Sequence, residues 1–192
     1  MPFDDEIAPV AVVDYRPCWP REFTEHAARL REVLGDLAVA VDHVGSTSVP
    51  GLAAKDCLDI QVRTGPLDEQ CAARATARLT AAGFRRRPEP WNRTEVAAGR
   101  RCRKLVFAPP AGARRCNLHL REHDGPNARF ALLFRDHLRA DADARQAWGT
   151  FKQRLAARVA DLAAYGQIKQ PATEVLMRGA ERWAAATGWQ PR

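Results

Sequence analysis

No apolar stretch in this 192-residue chain approaches the ~20 residues needed to span a bilayer, so a membrane-spanning helix is not expected. Cysteine is sparse. The five (Cys18, Cys57, Cys71, Cys102, Cys116) are odd in number and form no Cys-x-x-Cys pair, which argues against a disulfide framework or a zinc knuckle. They read as small buried or half-buried residues. Aromatic residues are only 7% of the chain and do not alternate with its basic residues, so a stacking platform for single-stranded nucleic acid is disfavoured. The acidic start, Met1 to Glu6, lacks the basic and apolar regions of a signal peptide. A soluble cytoplasmic protein is the expectation. The Walker A pattern is also missing: Gly45 and Gly51 are one residue too far apart, and no lysine directly follows Gly51.

What is present is enough apolar material, 46%, to bury a sizeable core, together with an uneven charge distribution. The net charge is +7, but the stretch from Arg85 to Arg121 holds eleven Arg/Lys against Glu89 and Glu95, a local +9. The remainder carries −2. A field concentrated in this way attracts phosphates. The competing reading is a solvated surface in an Arg- and Ala-rich protein. A nucleotide or other small phosphorylated ligand is favoured as partner over nucleic acid.

Hydrophobic periodicity divides the chain into a mixed α/β part and a helical C-terminal third. Val10–Tyr15 reads as a short β run. Trp19–Leu34 reads as a helix, with Phe23, Ala27, Leu30 and Leu34 on one face and Gly35 as its stop. Strands are expected at Ala38–Val44, Cys57–Arg63, Phe84–Arg87, Lys104–Ala108 and Arg115–Glu122, and a helix at Leu67–Ala82. The basic stretch between Arg87 and Lys104 is expected to be a mobile loop. On the Arg115–Glu122 strand, Cys116, Leu118 and Leu120 face one way, Asn117 and His119 the other. Helices then follow over Asn127–Ala140, from the Asp141 cap to about Ala164, and from Pro171 to near Gly188. The expected organisation is an α/β core over 1–126 with a helical part over 127–192 packed on it as one compact unit.

The chemistry concentrates in the loop His43-Val44-Gly45-Ser46-Thr47-Ser48-Val49-Pro50-Gly51 and the strand after it. Glycine lets backbone N–H groups approach a ligand, and the hydroxyls of Ser46, Thr47 and Ser48 add donors. A short helix over Val49–Lys55 would aim its N-terminus at the same place. Asp59 sits in an apolar strand, where a carboxylate is costly unless paired or metal-bound. Arg135 and Arg139 share a helix face, and Lys152 and Lys169 lie on or near the helices that follow. Arg135 and Lys152 are the cations best placed to close over the loop and neutralise phosphates. The bland readings stay open: Asp59 paired with Lys55 or a histidine, His119 as a satisfied structural residue, and the helix cations as a salt-bridge network.

A Gly-Ser pair at a strand end, followed after about a dozen residues by an acid on the next strand, resembles the nucleotidyltransferase superfamily signature. More closely, the chain resembles the GrpB family, an uncharacterised family (UPF0157) on that fold. The matching stretches are His43-Val-Gly-Ser-Thr-Ser-Val-Pro-Gly-Leu-Ala-Ala-Lys55, Leu58-Asp59-Ile60, Asn117-Leu-His119-Leu, Leu133-Phe-Arg-Asp-His-Leu-Arg139, Phe151-Lys152 and Tyr165-Gly-Gln-Ile-Lys169. The resemblance implies a nucleotidyltransferase-like mixed sheet flanked by helices. It implies little biochemistry beyond the fold; the phosphate site read from the residues themselves comprises His43, Gly45, Ser46, Thr47, Ser48, Lys55, Arg135, Lys152 and Lys169. Asp59 would then hold Mg²⁺ (or Mn²⁺) or act as a base, with His119 nearby. Two functions follow: transfer of a nucleotidyl or related group, or a non-catalytic accessory module of the kind fused to dephospho-CoA kinase. The chain departs from the superfamily pattern at Gln61, where a second acid is expected, and at Asn117. It departs from the family at Asp56, where proline is common. Asp56 is three positions from Asp59, so an ideal strand would not turn both to one metal.

Overall fold

The computed structural model describes Phe3 and residues 9–191; most of the acidic Met1–Glu6 stretch lies outside these. Its centre is a five-stranded sheet of β1 (Ala40–Val44), β2 (Leu58–Thr64), β7 (Cys116–Glu122), β6 (Leu105–Ala108) and β3 (Arg85–Arg86), in the spatial order β1-β2-β7-β6-β3. β2 and β7 run parallel and the other neighbours antiparallel, so the sheet is mixed. Strand alternation assigns the two faces. Leu58, Ile60 and Val62 of β2 and Cys116, Leu118 and Leu120 of β7 are buried in the main core. Helices α1 (Trp19–Leu34) and α2 (Glu69–Ala81) cover that face with Leu30, Leu34, Ala72 and Leu79. The opposite face carries Asp42, Asp59, Gln61, Arg63, Asn117, His119 and Arg121, in register across three strands.

Three further helices follow: α3 (Pro126–Ala140), α4 (Ala142–Ala156) and α5 (Leu162–Thr187). They build a second core from Leu133, Phe134, Leu138, Trp148, Met177 and Ala180. Val49 and Leu52, from the segment after the glycine loop, are buried in the same cluster. That shared packing brings α4 and α5 to the loop side of the sheet.

Several expected elements differ, each for a local reason. Of Val10–Tyr15, only Val13 pairs, exchanging bonds of 2.9 and 2.8 Å with Ala54. No helix forms over Val49–Lys55, because Gly51 takes φ +79° and Ala54 is used in that bridge. Ser46–Ser48 forms a 3-10 turn in its place. The stretch expected to be a mobile loop is a hairpin, β4 (Thr94–Ala97) and β5 (Arg100–Arg103). Ala98 and Gly99 turn it with φ +49° and +70°, the mirror-image turn that suits a two-residue hairpin. α4 ends at Ala156 rather than near Ala164, since the Asp161 carboxylate accepts from Ala164 N at 2.8 Å and caps a new helix. Pro171 therefore lies inside α5 instead of opening it. Proline removes one helical hydrogen bond, and the freed carbonyl belongs to Gln167, an exposed residue.

Candidate functional site

Gly45 follows β1 with φ +67°, a conformation that side chains disfavour. A Cβ there would collide with the Asp59 carboxylate and come within 2.9 Å of its Cβ. Glycine is thus required twice over, by its backbone angle and by the approach of Asp59. The turn after it is tied internally: Ser48 Oγ donates to the Gly45 carbonyl at 2.6 Å. It is tied externally by Arg139, which donates from Nε and Nη2 to the Ser48 carbonyl at 3.0 and 2.7 Å. Arg135 is held by Asp136 at 2.7 and 3.1 Å and donates to the His43 carbonyl at 3.3 Å. Both arginines fasten α3 to the loop, and sequence reasoning had favoured Arg135 alone.

His43 pairs across the sheet with Ile60, so its ring belongs to the α1 face and not to the Asp59 face. It stacks on Phe23 with centroids 4.7 Å apart, and Nε2 lies 3.0 Å from the buried Thr47 hydroxyl. Burial pushes its pKa down to about 4, against the pull of Asp59. His43 and Thr47 consequently support the loop from behind. Ser46 is half-buried.

Asp59 is flanked by Val44 on β1 and Asn117 on β7. Asn117 Nδ2 donates to its Oδ1 at 3.0 Å, and His119 Nε2 lies 3.9 Å from the same oxygen. The Asp59 side chain is 36% exposed and that of His119 20%. Burial alone would raise the Asp59 pKa, but His119, Asn117 and Lys169 together hold it at about 2. Burial pushes His119 down, partly offset by Asp59. His119 Nδ1 is buried and has no hydrogen-bond partner among the described residues.

Three lysines from three elements lie near one another, and two of them, Lys152 and Lys169, feel the Asp59 charge. Lys55 precedes β2, and its ammonium sits 5.2 Å over the Tyr165 ring. Lys152 on α4 is only 2% exposed and donates to the Ala53 carbonyl. Burial, reinforced by Lys169 and Lys55 and opposed by Asp59, lowers its pKa to about 7. Lys169 on α5 is pushed down by burial and Lys55, again opposed by Asp59. Lys55, Tyr165, Lys169 and Thr173 line an open cleft of about 320 Å³. Tyr165 was not singled out from the sequence, although it stands one helical turn before Lys169 in Tyr165-Gly-Gln-Ile-Lys169.

Two residues further along β2 the environment changes. Gln61 is completely buried. Its amide donates to Asp42 at 3.2 Å and to the Ala128 carbonyl at 3.4 Å, while its oxygen accepts from Arg121 at 2.9 Å. Asp42 also takes two bonds from Arg63, at 2.8 and 3.0 Å. Arg121 binds Glu95 of the hairpin at 2.7 Å, and Glu95 is met as well by Lys104 at 3.1 Å and Asn127 at 3.0 Å. Despite its burial, Arg121 and Lys104 bring the Glu95 pKa down to about 2. Part of the basic 85–121 stretch is thereby used inside the protein. Asp56, the other departure, lies away from Asp59 and is held by Arg16 at 2.5 Å, Trp19 at 2.9 Å and Arg114 at 2.5 Å.

These donors do not fit a two-metal centre. Mg²⁺ requires hard oxygen ligands, commonly one or two carboxylates with substrate phosphates. Asp59 is the single carboxylate at its end of the sheet face, Gln61 has both amide atoms engaged, and the Asn117 amide is turned toward Asp59. Among the described residues no group of three His, Cys, Asp or Glu is placed to hold a metal ion.

Comparison with known proteins follows the same lines. The chain is 35% identical to a dephospho-CoA kinase of Mycolicibacterium paratuberculosis, over 96% of this chain and 49% of that protein. It thus spans about half the length of the kinases it matches. It is 36% identical to a UPF0157 protein of Streptomyces coelicolor, over 78% of this chain and 72% of that protein. The crystal structure of the conserved protein GrpB from Enterococcus faecalis superposes with a TM-score of 0.74 at 24% identity, covering 90% of this chain and 99% of that one. The Cid1 poly(U) polymerase, in its MgGTP-bound structure, shares the fold at a TM-score of 0.52 and 16% identity, covering 76% of this chain and 45% of that one. The nucleotidyltransferase-like fold expected from the Gly45–Asp59 signature is therefore present. A family model described as GrpB protein matches residues 9–178, which include the glycine loop, Asp59, His119 and all three lysines, and the chain belongs to that family.

Proposed function

We propose that this chain binds the phosphates of a nucleotide or related small phosphorylated molecule in the cleft lined by Lys55 and Lys169, whose Lys169 acts on Asp59. The observation that carries this reading is the cleft lined by Lys55 and Lys169, with Lys152 buried nearby and Asp59 the acid that acts on Lys152 and Lys169. Three ammonium groups against one acid leave an uncompensated positive charge. Burial of Lys152 and Lys169 is opposed by desolvation and mutual repulsion, and a bound polyanion relieves both. Lysine serves here as a point charge, with the half-buried Ser46 as a neighbouring donor. The cleft is open and modest, which suits a phosphate tail better than a fully enclosed ligand. Such a site in half the length of a dephospho-CoA kinase supports an accessory role, with the chain presenting a phosphorylated ligand rather than transforming it.

A second reading is transfer of a nucleotidyl or related group. It is favoured by the Asp59–His119 pair and by the buried His119 Nδ1 with no partner among the described residues. Asp59 would act as base with His119 beside it, and Asp59→Ala would abolish turnover while leaving the thermal midpoint near wild type.

Thermal unfolding with pyrophosphate, ADP, ATP and CoA tests the binding reading. A ligand at about 100 times its Kd should raise Tm by on the order of 5–10 °C in a chain of this size. Lys169→Gln should remove most of that shift. Unchanged Tm with every phosphorylated ligand would contradict the proposal.

A further inference from the structure

The sheet face that carries metals in enzymes of this fold does not offer the ligands for them in this chain, and cations of the protein itself occupy the neighbourhood. Lys55 and Lys169 line one cleft, Lys152 is held behind it on the Ala53 carbonyl, and Lys152 and Lys169 both feel the Asp59 charge. Beside Gln61, at the second ligand position, stands the Arg121 guanidinium, 2.9 Å from the Gln61 oxygen. Asp42, the other acid on this face, is already held by Arg63 and Gln61, and Glu95 of the hairpin is met by Arg121, Lys104 and Asn127. A divalent cation entering with a ligand would find one carboxylate and a ring of like charges. Mg²⁺ gives up its water reluctantly and demands near-octahedral oxygen coordination, which lysines cannot provide.

We infer that this site takes its di- or triphosphate in the metal-free form, and that Mg²⁺ weakens binding by lowering the ligand's charge. The inference rests on the phosphate-binding reading and specifies its ligand class as a free, uncomplexed pyrophosphate group. Chelation by Mg²⁺ removes two negative charges from that group. The lysines therefore hold the uncomplexed ligand more strongly, because the Coulomb attraction scales with the ligand's charge. Asp59 acts on the bound anion as a repulsive neighbour and, in the empty cleft, as the counter-ion that opposes the downward pull of burial on Lys152 and Lys169.

Calorimetric titration of the intact chain with inorganic pyrophosphate, once in EDTA and once in excess MgCl₂ at matched ionic strength, tests this. Binding in EDTA should be about tenfold tighter, a difference of about 1.4 kcal/mol. Asp59→Asn should bind at least as well as wild type in EDTA, and Lys169→Gln, a half-buried position, should bind more weakly there. Binding that appears only with Mg²⁺ and disappears in Asp59→Asn would overturn the inference while leaving phosphate binding intact. Equal affinities in the two buffers would overturn it too. No binding in either buffer would overturn the phosphate-binding reading itself.

Discussion

Asp59 and Gln61 lie two residues apart on β2 and face the same side of the sheet, yet their surroundings obey opposite rules. Around Gln61 the polar groups close on one another: Asp42 and Glu95 are matched by Arg63, Arg121 and Lys104, and both ends of the Gln61 amide are used. Around Asp59 the cations outnumber the acid, His119 Nδ1 is left over, and a cleft opens to solvent. A network that satisfies itself needs nothing from outside and holds the fold in register. A network with unbalanced charge is costly until something binds. On the proposed reading the same sheet face divides into a structural half and a receptive half, with the boundary between residues 59 and 61.

Breaking the closed half should have the largest effect. Arg63→Met would strand the buried Asp42 carboxylate and destabilise the protein by about 3–5 kcal/mol in urea unfolding. Under conditions where that variant remains folded, its affinity for pyrophosphate should match wild type. A loss of affinity without a loss of stability would erase the boundary. Gly45→Ala comes next, because it touches the boundary itself. The positive φ and the collision with Asp59 should cost about 1–3 kcal/mol, and displacement of Asp59 should weaken ligand binding as well.

The receptive half should betray its buried ammonium through pH. In the unfolded chain Lys152 titrates near 10.5, and in the folded chain near 7. Between those values the unfolded state binds more protons, so this group makes stability rise with pH. The slope is at most about 1.4 kcal/mol per pH unit. Chemical denaturation of wild type and Lys152→Met at pH 7, 8 and 9 should show wild type gaining relative to the variant at each step. Parallel curves would mean that Lys152 is not desolvated in the folded protein. Smallest is the effect of Asp59→Asn on pyrophosphate affinity in EDTA. Removing one repulsive charge several ångströms away should tighten binding about threefold, judged from Coulomb energies at high dielectric. A large loss would restore Asp59 to the role of an essential ligand.

Much of this arrangement is legible in the sequence where local chemistry decides it. Trp19–Leu34 shows its apolar face and its Gly35 stop, and the helix has those limits. The alternation of Arg115–Glu122 places Asn117 and His119 beside Asp59 as expected. Elements decided by partners were harder to read. Ala98-Gly99 is a weak hairpin signal, and an arginine-rich strand hides its alternation, so β4 and β5 looked like a loop. Pro171 looked like a helix start because the Asp161 cap ten residues earlier is a single side chain. His43 lies next to Val44 in every reading of the motif, but strand alternation turns its ring to the α1 face. Lys152 and Lys169 were marked as cations near the loop. Their convergence depends on Val49 and Leu52 packing into the helical core, a contact between distant segments that no local pattern announces.

Crystals of the protein soaked with pyrophosphate in EDTA test the division most directly. Density for the anion should appear between Lys55, Lys152 and Lys169 beside the Gly45–Asp59 junction, with the Gln61–Arg121–Glu95 bonds unchanged. Density on the Arg121 side of Gln61 with those bonds broken, or no density at the lysines under saturating ligand, would contradict it.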